Sequence, residues 1–403
     1  MAEHDIGSNK HNEAIAKALK QVSAHGTDLI DGDSAAREKL IASARELVAV
    51  AETPVETLLW NIWAPPTRSV ALRIAVDLKV FETAVQDDGR PKSDAEFATP
   101  TAASPILVKR ITRVCASMHM LEEKSSGLYA PNALTRLLAR PEYTGSWDCA
   151  QPSFAHMPTY LKNTQFKNPQ NPTDGPFQYG QKYPGHGFGW LTDHPDVFQA
   201  FHHYAYTLRK HRPNWVEMYP VHDRHISGPR ENDSSVLVDI GGGTGQILQD
   251  FRKSTPEYAG RLVLQEVPEV IAVAQGMELD KSTNIELQVH DFFTPQPIKG
   301  ARAYFMRSVL HDWADEQCRV ILGHLRDAME PGYSRILIND CVLADEHAAW
   351  QHISLDIFMM ALASAQERTE SEWHALIDSC GLKIAGIYNK GEGNEGMIEV
   401  ILE

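Results

Sequence analysis

Between residues 236 and 367 the chain places polar and ionisable residues directly after short apolar runs. VLVDI, with Asp239 inside it, leads into Gly241, Gly242, Gly243, Thr244 and Gly245. The next runs end in Glu266, in Asp291 with Phe292, in Arg307 with His311 and Asp312 close behind, and in Asp340. Glycines let a backbone turn sharply and approach a ligand closely. Their spacing here is GxGxG, through Gly241, Gly243 and Gly245, whereas a dinucleotide fingerprint would need glycine where Gln246 stands. No GKS or GKT follows, so a P-loop is excluded. A glycine turn without a tight pyrophosphate cradle suits a nucleoside lacking phosphates, of which S-adenosylmethionine (SAM) is the common one. Glu266 could accept both ribose hydroxyls, as an acid at this place does in dinucleotide sites. Asp291 offers an acceptor to an adenine amine and Phe292 a face to its ring, while Arg307 suits a carboxylate or the adenine edge.

His311 is the natural general base, since an unperturbed imidazole titrates near ~6.5. Asp340 ends the following apolar run. Glu367 lies in QERTESE, just before a helix whose start is marked by Thr369 and Glu372, a capping box. Acids around a histidine fix its tautomer and favour its protonated form. Taken singly, Glu266 and Arg307 read equally well as surface charges and His311 as a structural histidine. Following one another at the ends of successive runs, they read as one site.

Such residues need a scaffold that gathers them. From Ser235 onward the runs VLVDI, RLVLQEV, IELQVHDFF, RAYFMRSVL, RILINDCVL, LKIAGIY and GMIEVILE are interleaved with helix-like stretches. Strands alternating with helices predict a mainly parallel sheet in a three-layer α/β domain, which binds ligands beyond the carboxyl ends of its strands. GEGNEG reads as a hairpin turn between the last two runs. Upstream, the first 90 residues read as helix, with an apolar cluster of Leu58, Leu59, Trp60, Ile62 and Trp63 before Pro65-Pro66 that suits a dimer partner. Residues 67–140 follow the order of a winged helix: a helix with Val70, Ile74 and Leu78, a second opened by Ser93 and Glu96, a third opened by Ser104-Pro105, and a hairpin around KSSG. Residues 164–190 read as a loop whose aromatics, Phe177 and Trp190 among them, could line a substrate pocket or cover a seam. Phe358, Met359 and Met360 on a later helix, with Asp312, complete the candidate pocket, although the methionines suit a core equally. HISGPRENDSS reads as a linker. The expected domains are a helical extension (1–55), a winged-helix-like dimerisation domain (56–145), a connector contributing to the pocket (146–230) and a SAM-binding catalytic domain (231–403).

The chain has 403 residues, enough for two or three domains, and 38 basic against 53 acidic residues, a net charge of -15. That balance argues against nucleic acid, whose binding rests on Lys and Arg, even for a winged helix carrying Lys109, Arg110 and Arg113. No apolar run reaches the ~18 residues of a membrane span, and the N-terminus lacks signal-peptide character, so a cytoplasmic enzyme is expected. The five cysteines are scattered without a CxxC, which fits reduced thiols. His202 and His203, adjacent on a helix, point about 100° apart and make a poor metal site. Asn339 and Asp340 are no magnesium pair, because neighbours on a strand face opposite ways.

In order along the chain, DIGGGTG, the Glu266-Val-Pro segment, HDFF, FMRSVLHDWAD, ILINDCVL and QERTESEW resemble the plant-type and fungal small-molecule O-methyltransferases related to the caffeate and flavonoid enzymes. The resemblance spans roughly residues 55–403 and includes the winged-helix-like segment. It implies a metal-independent homodimer, built through its N-terminal helices, that uses SAM and releases S-adenosylhomocysteine. By the same resemblance, Asp239, Gly241, Gly243, Thr244, Gly245, Glu266, Asp291, Phe292 and Arg307 bind SAM. His311 is the base, with Asp340 and Glu367 as flanking acids. The family often has glutamate at Asp340, so this shorter side chain is expected to meet His311 loosely or through water. The first 50 residues look more fungal than plant, which suggests secondary metabolism. Methylation of a phenolic or enolic hydroxyl is the leading expectation. The alternative is a pericyclic or dehydrative reaction on the same SAM-binding scaffold, and a non-catalytic ligand sensor is a third class.

Overall fold

The computed structural model describes residues 9–140, 147–201, 214–226, 236–258, 260–276, 284–389 and 394–402. His202, His203, most of the expected linker and part of GEGNEG lie outside them. The chain divides into two compact units, Met1–Thr144 and Gly145–Glu403.

In the first unit, helices Asn9–Ile30 and Ala36–Ala51 pack on each other, and a longer helix, Pro54–Asp77, follows. Thr53 opens it with a capping box: its hydroxyl accepts from the Glu56 N–H (3.2 Å), and Glu56 accepts from the Thr53 N–H (2.8 Å). The helix runs through Pro65 and Pro66, so the double proline does not end it. Around those prolines the helix lies open to solvent, with Ile62 and Trp63 more than half exposed, so carbonyls that lose a proline donor can turn to water. The winged-helix order follows: helix Val80–Val85, strand β1 (Lys92–Ser93), helices Asp94–Ala98 and Pro105–Ser117, then β2 (Glu122–Ser125) and β3 (Leu128–Ala130). The expected hairpin is β2–β3, and β1 adds an antiparallel third strand in the order β1-β3-β2. Val80, Phe81, Phe97, Val108, Cys115 and Tyr129 form the core.

The second unit holds the expected sheet. Its strands are β4 (Val236–Ile240), β5 (Arg261–Glu266), β6 (Ile285–Val289), β7 (Ala303–Arg307), β8 (Arg335–Asp340), β11 (Lys383–Tyr388) and β12 (Gly396–Ile401). Two further strands, β9 (Val342–Leu343) and β10 (Arg368–Thr369), pair in parallel as a separate patch. The sheet order is β11-β12-β8-β7-β4-β5-β6, with β8, β7, β4, β5 and β6 parallel and β12 antiparallel to both its neighbours. VLVDI is apolar almost throughout because both its faces are covered. Leu237, with Phe305 and Leu337, packs against Trp215 and Phe251 on one side; Val238, with Met306 and Ile338, packs against Ile321, Leu325 and Trp373 on the other. Each such side chain contributes roughly 1.5–3 kcal/mol of burial. Chain order reverses at β4, whose neighbours are β5 and β7. The crevice beyond the carboxyl ends of β4 and β7 is therefore the topological switch point.

The segment expected as loop contains two short helices, Pro176–Gln181 and Gly187–Asp193. Gln178 secures the first: its Oε1 accepts from the Gly175 N–H (2.9 Å), and its Nε2 donates to the Pro172 and Gly185 carbonyls (2.9 and 2.7 Å). Among the described residues, no helix is long and apolar enough to cross a membrane.

Candidate active site

The glycine loop is built around Asp239 and Glu266. Gly241, Gly243 and Gly245 take φ values of +66°, +60° and +79°, the left-handed region that favours glycine. A Cβ on Gly242 would lie 2.3 Å from Asp239 Oδ2 and 2.6 Å from Leu264 Cδ1, whereas one on Gly243 would meet nothing within 4 Å. The loop thus rests on Asp239 and Leu264 and opens outward at Gly243. Glu266, at the end of β5, accepts from the Gly243 N–H through Oε1 (2.9 Å) and from the Val267 N–H through Oε2 (3.0 Å). Burial pushes its carboxyl up, against those two bonds. Each oxygen has one lone pair used by backbone and a second that can serve a ribose hydroxyl.

Asp291 and Phe292 follow β6 on the same side of the sheet. Asp291 accepts from the Phe293 N–H (2.9 Å), and Phe292 meets the edge of Trp313 at 6.0 Å. Arg307, at the end of β7, is held by a partner the sequence reading missed: Glu395 Oε2 accepts from its Nε (2.9 Å) and Nη2 (2.8 Å). Only the position of Glu395, inside a presumed hairpin turn, hid it.

After β7 the chain bends at Ser308, a non-glycine residue with φ +51°, into a single turn, Leu310–Asp312. His311 stands on that turn with its side chain 15% exposed. Its Nδ1 lies 2.8 Å from Oε1 of Glu367, whose side chain is fully buried. A carboxylate can only accept, so Nδ1 carries the proton and Nε2 is the nitrogen left without it in the neutral ring. Asp312 Oδ1 lies 3.7 Å from Nε2. Burial works against an imidazolium here, but Glu367, Asp312 and Asp340 outweigh it and raise the His311 pKa to about 10.

Asp340, at the end of β8, is brought beside His311 as the order of runs suggested. It makes no hydrogen bond to the ring, and among the described residues neither of its oxygens has a partner. Burial, with the neighbouring acids and against the pull of His311, raises its pKa to about 7. The backbone N–H of Glu367 donates to Asp356 (2.9 Å), a second residue missed because it sits among apolar residues on helix Trp350–Ala363. Met360, one helical turn on from Asp356, and Phe358 are partly exposed; Phe358 meets Phe154 at 5.9 Å. Three of the expected pocket residues are instead core. Phe177 and Trp190 are 1% and 8% exposed and pack edge to face at 5.7 Å, and Met359 is 3% exposed. His186 of the connector stacks on Trp313 (5.2 Å) and so reaches the His311 turn. Among the described residues, no group of three or more His, Cys, Asp and Glu could hold a metal ion, and all five cysteines are free thiols.

An open glycine turn at the switch point, an acid at the end of the next strand and a histidine–glutamate pair alongside are the features of a nucleoside-binding enzyme site. The residues present fit SAM: the loop is open at Gly243, and each Glu266 oxygen keeps a lone pair for a hydroxyl. Comparison with known proteins agrees. The O-methyltransferase domain family matches residues 232–383, and the O-methyltransferase dimerisation domain family matches residues 66–141. The O-methyltransferase mpaG of Penicillium brevicompactum is 34% identical over 395 residues, covering 96% of this chain and 98% of its own. Among solved structures, LepI in complex with SAM superposes with a TM-score of 0.84 at 28% identity, covering 97% of this chain and all of that one. A pericyclic reaction enzyme does so at 0.83 and 28%, covering 98% of this chain and all of that one. The chain belongs to the SAM-dependent O-methyltransferase family, whose curated relatives here are fungal.

Proposed function

We propose that the enzyme methylates a phenolic or enolic hydroxyl of a small aromatic or polyketide-type secondary metabolite, with His311 as general base. The observation that carries this reading is the 2.8 Å bond from His311 Nδ1 to the buried Glu367, which fixes the tautomer and leaves Nε2 as the nitrogen that can accept a proton. SAM, when bound, supplies a methyl group already activated as an electrophile on positive sulfur. Gly241 to Gly245, Glu266, Asp291, Phe292 and Arg307 would hold it, with Asp239 supporting the loop from below. Asp312, Phe358 and Met360 would orient the acceptor, with Phe177, Trp190 and Met359 backing them. His311 takes the hydroxyl proton at Nε2. A phenol is a weak nucleophile until its proton is taken, and the acids around His311 raise the basicity of the neutral imidazole that takes it. Glu367 keeps the ring oriented and offsets the imidazolium charge, and Asp340 adds to that field. The dimerisation domain and the exposed Leu58, Trp60, Ile62 and Trp63 support a homodimer.

Transfer of isotopically labelled methyl from SAM into a panel of phenols, enols and source extract tests the proposal. His311→Ala should lower transfer about 10²-fold or more, with SAM affinity by calorimetry within about twofold of wild type. Near-normal turnover in that variant removes His311 as the base. The likeness to a pericyclic reaction enzyme supports one alternative, a rearrangement or dehydration without methyl transfer. SAM binding without transfer, together with an isomerised product of unchanged mass, would favour a rearrangement.

A further inference from the structure

We propose that Arg368 is a positioning residue, which locks the turn carrying His311 from beneath so that the imidazole meets Glu367 in one orientation. This rests on His311 acting as the base. Arg368 is fully buried. Its Nη1 donates to the Leu310 carbonyl (3.2 Å) and its Nη2 to the Trp313 carbonyl (2.9 Å), the two residues that bracket His311 and Asp312. Its Nε and Nη2 also reach Asp315 (3.0 and 2.9 Å), in the first turn of the next helix, and its guanidinium lies over the Trp373 ring at 5.2 Å. The Cys318 thiol approaches the same two carbonyls at 3.3 and 3.4 Å.

The Leu310 carbonyl accepts from the Trp313 N–H (3.2 Å) to close the turn and keeps a second lone pair for Arg368, and a planar guanidinium can serve both carbonyls at once. The two neighbours Glu367 and Arg368 divide the work. Successive residues of an extended chain face opposite ways, so Glu367 addresses the histidine ring and Arg368 the histidine's backbone. Two bonds keep this segment in place: the Glu367 N–H donates to Asp356, and Arg368 pairs with Val342 in the β9–β10 patch, directly after Asp340 and Cys341. The base, the acid that orients it and the acid beside it thereby share one local frame.

The test is Arg368→Lys, which keeps the charge but cannot span both carbonyls. Single-turnover methyl transfer should fall between about tenfold and a hundredfold, the scale of a small misplacement of a reacting group. SAM affinity and acceptor KM should stay within about twofold. The rising limb of the pH–rate profile should move to lower pH, because the His311–Glu367 bond loosens. Combined with Glu367→Gln, the two losses should be less than additive, as for residues acting through one pair. Cys318→Ala, a milder removal of support from the same carbonyls, should show a smaller shift in the same direction and serves if Arg368→Lys fails to fold. A lower melting temperature with unchanged rate and pH profile per folded enzyme, or fully additive losses, overturns the proposal. If His311→Ala itself keeps the activity, it is the base assignment that fails; if His311→Ala is inactive while Arg368→Lys matches wild type, only the role of Arg368 fails.

Discussion

At the scale of single residues, the chemistry turns on one proton. In the free enzyme His311 is raised to about 10, so at neutral pH it holds a proton that, under the proposed mechanism, must leave before, or as, the acceptor is engaged. Methyl transfer should therefore rise as pH moves from about 6 towards about 10. Glu367→Gln removes the charge most responsible for that elevation, so the rising limb should shift to lower pH. The maximum rate should also drop, by about tenfold, because the ring loses its orienting carboxylate. Both enzymes titrate the same acceptor, so the difference between their limbs reports His311 alone. A Glu367→Gln limb that coincides with wild type would sever the link between the two residues. The sequence showed His311 and Glu367 through their types and order. The missing methylene already marked Asp340 as the looser neighbour; the direct Glu367 contact and the depth at which both acids are buried depend on the folded path. Glu395, Asp356 and Arg368 were invisible for a related reason: each acts through a partner remote in sequence.

Among the elements, the glycine loop separates two roles that the motif alone merges. Gly242→Ala would force a Cβ against Asp239 and Leu264, an overpacking that costs about 1–3 kcal/mol, and should lower the melting temperature. Gly243→Ala would place its methyl in open space at a φ of +60°, costing about 1–2 kcal/mol, and should chiefly weaken SAM binding. Thermal melts beside calorimetry distinguish the two, and an unchanged SAM affinity in Gly243→Ala would take the loop out of the cofactor site. Strands β4 to β8 and the capping boxes at Ser93–Glu96 and Thr369–Glu372 were legible because period and cap chemistry are local. The connector was not. Its prolines and glycines signal loop, yet Pro176 stands at a helix start, and the Gln178 bonds that close this segment depend on its folded path. Helix Pro54–Asp77 also continues through the double proline, since an exposed helix can lose two N–H donors to water.

For the whole molecule, the exposed apolar surface on helix Pro54–Asp77 has to be accounted for. Leu58, Trp60, Ile62 and Trp63 are 51–65% exposed, and Trp60 and Trp63 line a groove of about 650 Å³ with Val48 and Leu59. Clustered exposed aromatics of this kind mark association surfaces. Replacing Trp60 and Trp63 together by glutamate should convert a dimer to a monomer in light scattering, with each unit still folded by circular dichroism. A variant that remains dimeric would place the interface elsewhere. The same helix crosses the start of the matched dimerisation domain, so apolar clustering and family membership point to one surface. The acidic balance of the chain carries over to the site. Asp312, Asp340, Glu367 and Glu395 gather there around Arg307 and His311, a field suited to a cationic cofactor.

The alternation that sends Glu367 and Arg368 to opposite sides has a consequence for redesign. The segment works by phase. A graft that keeps Arg368 in register with Val342 carries the orientation of the base with it, whatever is done to the aromatic side chains around the acceptor. An insertion or deletion of one residue exchanges the two sides, so that the histidine loses its ring partner and its backbone support together. Acceptor specificity can thus be explored in the helices while the dipeptide's frame stays fixed, and natural length variation in this enzyme should fall everywhere but there.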